Sequence, residues 1–324
     1  MSNRRGTPLN RRTMLGAVAA GAGLVALNPA GALAAPPDHA GRPGGPKPRE
    51  TLLPAQTSWD PEPEFRGTQG FVELPDVRLW CWDSGGTGQA IIFLHAHVGS
   101  GATWNYQHDA LSKAGYRVIS YSRRGYDMSE RGPEDDPGTM ADDLDALATA
   151  LGIDRFHVVG TAGGGFAVFD YALSFPERLL SATVASTLAG IQEPEFQDVT
   201  RAILPPGWFE LPEDFRELGP SYRAANREGT AAWLDRVEHA YDNYMPQGSK
   251  NAITWDAISR VRTPVMLLTG TCDLYLPPAR LRQIASHVRQ SETVVISEAG
   301  HTPFWEQYLA YNKAVLSFVR KHRR

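Results

Sequence analysis

Short apolar runs alternating with longer helical stretches constrain this chain more than any other feature. Residues 90–94, Ala-Ile-Ile-Phe-Leu, form a continuous apolar run. With no polar position on either face, such a run suits a parallel strand buried from both sides. Runs at 117–121, 156–160, 180–185, 265–269 and 293–296 read the same way, and 77–84 alternates as a strand. Helix-period stretches fall between them at 103–114, 139–151, 164–174, 278–287 and 303–321. This order predicts an α/β fold, a mostly parallel sheet flanked by helices. One interval breaks the rhythm. Residues 190–256 hold no convincing strand and are rich in Trp, Tyr, Phe, Pro and acidic residues. They are expected to form a helical cap over the sheet, where a lid would sit.

The N-terminal segment reads differently. Asn10-Arg11-Arg12-Thr13-Met14-Leu15 precedes an apolar Ala/Gly-rich run that ends at Leu27, and Ala32-Leu33-Ala34 supplies an A-x-A cleavage site. The paired arginines resemble a twin-arginine export signal. Residues 1–34 are therefore expected to direct export, to a secreted or periplasmic location. The apolar run is too short and too glycine-diluted to span hydrocarbon, so no stable membrane insertion is expected. Residues 35–65 contain Pro36-Pro37, Pro43-Gly44-Gly45-Pro46 and Pro61-Glu62-Pro63, and read as a linker without regular elements. Residues 66–324 then form the folded domain.

Composition removes some functions. Lys plus Arg is 32 against 36 for Asp plus Glu, a net charge of -4, so the cationic excess that holds a nucleic-acid backbone is missing. The two cysteines, Cys81 and Cys272, can build neither a disulfide scaffold nor a cysteine-clamped zinc site. Cys81 belongs to an early strand and Cys272 follows a late one, expected on the other side of the sheet, so they are expected not to pair. The pattern leaves the oligomeric state open.

Four landmarks, each after a buried strand, resemble the α/β-hydrolase fold family over residues 71–322. His95-Ala96-His97-Val98-Gly99-Ser100 resembles the family's His-Gly-x-x-Gly oxyanion turn. Arg123-Arg124-Gly125-Tyr126-Asp127-Met128-Ser129 resembles its Arg-Gly-x-Gly-x-Ser loop, with Asp127 in place of the second glycine. Gly270-Thr271-Cys272-Asp273 resembles the Gly-x-x-Asp that presents the acid, and Ala299-Gly300-His301 resembles the Gly-His of the base. The resemblance implies that His301 is a general base oriented by Asp273, and that the amides of His97 and Gly163 face a developing oxyanion. His95, Trp104 and Tyr126 would flank the substrate. The alternation of His95 and His97 falls short of a metal site, and neither metal nor organic cofactor is expected.

The fifth landmark departs from the family. Val158-Val159-Gly160-Thr161-Ala162-Gly163-Gly164-Gly165 has the strand, the glycines and the helix start of a G-x-S-x-G elbow, with Ala162 at the position of the nucleophilic serine. A methyl group cannot attack a carbonyl. Three readings stay open: an enzyme for a small, mostly apolar carbonyl compound (ester, lactone or C–C bond) that uses the His/Asp pair without a serine; a secreted non-catalytic ligand-binding protein on a hydrolase scaffold; and an engineered Ser-to-Ala trap of a serine hydrolase. In the insertion, Trp208, Phe209, Phe215, Tyr222, Trp233, Tyr241 and Tyr244 could line an apolar chamber or form the cap's own small core.

Overall fold

The computed structural model describes residues 49–238, 240–241 and 243–323. The expected export signal and residues 35–48 lie outside the described residues. Nine described strands build one sheet: β1 (Arg49–Leu53), β2 (Thr68–Glu73), β3 (Arg78–Asp83), β4 (Ala90–Leu94), β5 (Arg117–Tyr121), β6 (Phe156–Thr161), β7 (Leu179–Ala185), β8 (Val265–Gly270) and β9 (Ser291–Ile296). Their spatial order is β1-β9-β8-β7-β6-β4-β5-β3-β2. All neighbours pair in parallel except β2 with β3 and β3 with β5.

The apolar runs are continuous because each faces two cores. On β4, Ile92 and Leu94 enter one cluster with Leu144, Leu147, Val168, Phe169, Leu281 and Ile284, while Ile91 and Phe93 enter the other with Leu111, Phe304, Tyr311, Val315 and Phe318. Side chains alternate across a strand, so burying both faces requires an unbroken apolar run. The first cluster is covered by α2 (Met140–Ala150), α3 (Gly163–Ser174) and α9 (Pro278–Ala285), and the second by α1 (Asn105–Lys113), α10 (Pro303–Glu306) and α11 (Tyr308–Lys321). Between β7 and β8 the cap folds as α4 (Pro194–Ile203), α5 (Glu213–Glu217), α6 (Pro220–Ala225), α7 (Arg227–Glu238) and α8 (Trp255–Ser259). Among the described residues no helix is long and apolar enough to cross a membrane.

The expected linker, 35–65, needs correction from residue 49 onward. Residues 49–53 are strand β1, which pairs in parallel with β9 from Arg49↔Glu292 to Leu53↔Ile296. Edge pairing uses backbone bonds to a distant strand, so no local side-chain pattern announces it. Residues 54–65 carry no regular element, as their prolines require, yet they are anchored. Trp59 Nε1 donates to the Glu306 carbonyl at 2.6 Å, the Gln56 amide donates to Gln307 Oε1 at 2.7 Å, and the Asp60 amide donates to Tyr308 Oη at 2.9 Å. Glu62 pairs with Arg236 of α7, and Trp59 packs edge-on against Tyr222 of α6. This arm therefore ties the cap to the start of α11. Cys81 on β3 and Cys272 after β8 are both free thiols, near opposite sides of the sheet as expected.

Candidate active site

Parallel strands deliver their following loops to one edge of the sheet, the edge where sites of α/β folds are built. Here the loops after β9, β8, β6, β4 and β5 carry His301, Asp273, Ala162, His97 and Arg123. At the centre, Ala162 has φ 45° and ψ −116°. A non-glycine residue held there stores about 1–3 kcal/mol of strain. Three hydrogen bonds impose it: the Ala162 amide donates to the Ala185 carbonyl at 3.0 Å, and its carbonyl accepts from the Gly165 amide at 3.0 Å and Thr187 Oγ1 at 2.6 Å. The flanking glycines are there for contact distance. A Cβ on Gly160 would lie 2.6 Å from the Gly164 carbonyl oxygen, and one on Gly164 would lie 2.4 Å from that of Leu94. The elbow is thus built in full around a methyl group.

His301 and Asp273 are brought together. Nδ1 of His301 lies 2.9 Å from Asp273 Oδ1, and both side chains are buried. Asp273 Oδ1 also accepts from the amides of Tyr275 and Leu276 at 2.9 Å each, and Oδ2 accepts from Thr269 Oγ1 at 3.0 Å. The carboxylate is therefore fixed before it orients the ring, leaving Nε2 as the basic atom. Burial opposes the charged form of both groups, but their mutual attraction prevails: His301 is held above the ordinary histidine pKa and Asp273 below the ordinary carboxylate one. Glu217 and Glu306 add to the rise at His301.

The expected oxyanion residues are also adjacent. Gly163 heads α3, so its amide has no intrahelical partner. A methyl built on Gly163 would lie 3.2 Å from the His97 amide nitrogen, which puts both backbone segments against the same small volume. The His97 ring turns away into aromatic packing. Its Nδ1 lies 2.8 Å from Tyr126 Oη, and its centroid is 5.2 Å from that of Tyr241 and 4.7 Å from that of Tyr244.

The three expected substrate-flanking residues are all buried. His95 is fully buried with both ring nitrogens used: Nδ1 lies 2.7 Å from the Ala96 carbonyl, and Nε2 accepts from the Arg123 amide at 3.0 Å. It braces two loops and has no nitrogen left for a substrate or a metal. Trp104 is likewise core, packed between Phe93 and Phe304 at centroid distances of 4.7 and 4.5 Å. Tyr126 is buried, and its hydroxyl is engaged by His97 rather than presented to a ligand. Of the cap aromatics, Tyr222 and Trp233 join the second core, Phe215 is 40% exposed, and Trp208 packs edge-on against Tyr275.

Sequence reasoning missed four groups around the base. The Tyr275 ring lies 4.3 Å from that of His301, and its hydroxyl donates to Glu217 Oε1 at 3.2 Å while accepting from Arg216 Nη1 at 2.9 Å. Glu306 accepts from the amides of Gly219, Gly300 and Thr302 at 2.6, 2.8 and 3.2 Å, which clamps the His301 loop to the cap. Burial pushes the Glu306 carboxyl up to about 7. Glu306 had a signal in its place five residues after His301; the cap residues had none.

Sheet order, elbow and His/Asp pair together define an α/β-hydrolase fold. The family profile for the alpha/beta hydrolase fold matches residues 89–218. A Mycobacterium tuberculosis protein named as a non-heme bromoperoxidase is 26% identical over 258 residues, covering 74% of this chain and 96% of its own length. A 2-hydroxy-6-oxononadienedioate/2-hydroxy-6-oxononatrienedioate hydrolase of Burkholderia vietnamiensis is 25% identical over 268 residues, 76% of this chain and 92% of its own. Among solved structures, the enol-lactonase from Burkholderia xenovorans superposes with a TM-score of 0.64 at 22% identity, over 78% of this chain and 100% of that one.

Proposed function

We propose that the protein is an exported enzyme of the α/β-hydrolase superfamily that acts on a small, mostly apolar carbonyl compound, with His301 as general base and Asp273 as its orienting acid, and without a serine nucleophile. One observation carries the reading: a buried Asp273–His301 pair, its carboxylate fixed by three further hydrogen bonds, follows β8 and β9 at the same edge of the sheet as an elbow that has only a methyl group at its apex. A protein that merely binds has no use for an oriented base. A relative named as a 2-hydroxy-6-oxononadienedioate/2-hydroxy-6-oxononatrienedioate hydrolase and a fold neighbour named as an enol-lactonase support a carbonyl substrate.

Magnitudes narrow the chemistry. Removing the nucleophile of a serine protease costs about 10⁶ in turnover and leaves roughly 10³–10⁴ over water. Fast cleavage of unactivated esters is therefore not expected. A positioned general base contributes about 10²–10⁴, enough for an activated ester or lactone, a retro-aldol or elimination step, or removal of a proton next to a carbonyl.

The test is depletion of a panel of enol lactones, aryl esters and 1,3-dicarbonyl compounds by the purified chain, followed by mass spectrometry. At least one compound should be consumed, and His301→Ala should slow that by about 10² or more. No depletion, or depletion indifferent to His301→Ala, overturns the reading. Rapid new cleavage of activated esters by Ala162→Ser would identify instead a serine hydrolase lacking only its nucleophile.

A further inference from the structure

Two consecutive arginines follow β5, and their surroundings are opposite. Arg124 is neutralised: it forks onto Asp143 at 2.7 and 2.8 Å and onto Asp76 at 2.8 and 2.9 Å. Arg123 is 6% exposed, and among the described residues no carboxylate lies within ion-pair distance of it. Among the described residues its guanidinium meets only uncharged groups. Nη1 donates to Met140 Sδ at 3.2 Å, Nη2 to the His95 and Ala96 carbonyls at 3.4 and 3.3 Å, the Tyr126 ring lies 4.5 Å away, and Nε has no hydrogen-bond partner. Burying a cation without a counter-ion is costly, and buried charges are otherwise paired.

Its position gives the unpaired charge a use. A methyl on Gly163 would lie 3.5 Å from Arg123 Nη2, so a glycine at that point leaves the guanidinium beside the volume that the His97 and Gly163 backbones share. Arg216, on Tyr275 beside His301, has Glu213 at 3.9 Å and Glu217 close by, so among the described residues of the site Arg123 is the cation left without a counter-ion. Burial, then the charges of Arg123 and Arg216, hold His97 down to about 3, so its ring stays neutral. On the other side of the elbow, His301 sits among Asp273, Glu217 and Glu306. Strand order separates the two groups, with Arg123 following β5, the elbow following β6 and His301 following β9.

We infer that Arg123 is the counter-charge for an anionic oxygen of the ligand, taken on the β5 side of the elbow while His301 works from the β9 side. With a carbonyl compound bearing an acidic C–H, His301 Nε2 takes the proton, the C–H electron pair becomes a C=C bond, and the carbonyl pair moves onto oxygen. The resulting enolate oxygen faces Arg123, and the step balances with no group from the elbow. A carboxylate would use the same contact without any reaction. The proton step rests on the base role proposed above; the binding does not.

Calorimetric titration of the full chain tests it with two anions, phenylacetate and the enolate of cyclohexane-1,3-dione, against their neutral counterparts phenylacetamide and cyclohexanone. At least one anion should bind about tenfold or more tighter than its counterpart, the size of a charge-assisted hydrogen bond. Preference for phenylacetate assigns carboxylate ligands, and preference for the enolate assigns substrates that ionise in the reaction. Arg123→Met should erase the preference and Arg123→Lys restore part of it, while His301→Ala should leave it in place even if turnover proves absent. In the unsubstituted chain, the Arg123 Nε–H resonance, identified by its loss in Arg123→Lys, should shift with the anion only, which keeps the test available if Arg123→Met does not fold. Equal binding of anion and neutral partner, no binding of either anion, a preference that survives Arg123→Met, or an unmoved resonance overturns the inference.

Discussion

Replacing each of the two adjacent arginines by methionine should separate a structural charge from a functional one. Arg124→Met deletes four hydrogen bonds of 2.7–2.9 Å to two carboxylates. Asp76, with a side chain 37% exposed, can rehydrate, but that of Asp143 is 6% exposed and keeps only Gln247 Nε2, at 2.7 Å, among its side-chain partners. Stranding one member of a buried pair costs about 3–5 kcal/mol. Arg123→Met deletes three contacts of 3.2–3.4 Å and the stack on Tyr126. Those are worth about 1 kcal/mol each, plus up to about 2 for the stack. Against this, an ion buried without a partner is released from a desolvation penalty of several kcal/mol, so the net change should lie within about 1 kcal/mol of zero. Urea unfolding followed by tryptophan fluorescence, compared at unchanged m-value, measures both. Acid supplies an internal check. Burial already raises the Asp143 carboxyl, and loss of Arg124 raises it further. The native state of Arg124→Met then holds a proton that the unfolded chain releases, so stability falls as pH rises through the raised value and the deficit shrinks at lower pH. Equal costs for the two variants, or a cost of about 3 kcal/mol or more for Arg123→Met, would refute the reasoning.

Further outcomes follow from the site and its supports. The rate of any His301-dependent turnover should rise with pH through a midpoint above the ordinary histidine value of 6.5, and Asp273→Asn should move that midpoint down as well as lowering the rate; a pH–rate profile complete below 6.5 contradicts this. Gly219→Ala would set a Cβ 2.5 Å from the Glu298 carbonyl oxygen and 2.8 Å from Glu306 Oε2, so it should lower stability by about 1–3 kcal/mol and loosen the His301 loop, which thermal melting and turnover together report. Burial pushes the Cys81 thiol up to about 12, so a thiol reagent should label Cys272 alone in the native chain and both cysteines after denaturation without reductant; one thiol or none in the denatured chain would be the wrong answer.

The buried half of this architecture is legible because its signal is dense. Residues 90–94 and 117–121 are strands with the expected bounds, since a strand facing two cores must be apolar throughout. The elbow is legible for a steric reason, as Gly160 and Gly164 stand where no Cβ fits. The edge was not. Residues 49–53 and 68–73 are half-exposed strands held by backbone bonds to partners that the local sequence does not name. Within the site, Asp273 and His301 were readable from their motifs, while Trp104 and His95 turned inward because an aromatic column and two loop braces needed them. Arg123 was unreadable for a different reason. Two adjacent arginines look alike in a sequence, and only the placement of Asp76 and Asp143 decides which one is left uncompensated.

The arm of residues 54–65 sets where a protease can shorten this chain. A cut anywhere ahead of Arg49 leaves every described hydrogen bond of the sheet and cap in place. A cut between Leu53 and Gln56 would leave β1 held by its backbone bonds to β9 and the Glu50–Arg282 ion pair, while the stump from Gln56 onward kept the Gln56, Trp59, Asp60 and Glu62 contacts. A cut past Glu62 removes all four, and with them the fastening of α6 and α7 to the start of α11. The cap would then keep its covalent connections but lose its outer latch. Trimming past Glu62 would thus loosen the outer edge of the cap, while the Glu306 clamp on Gly219 still holds its inner edge.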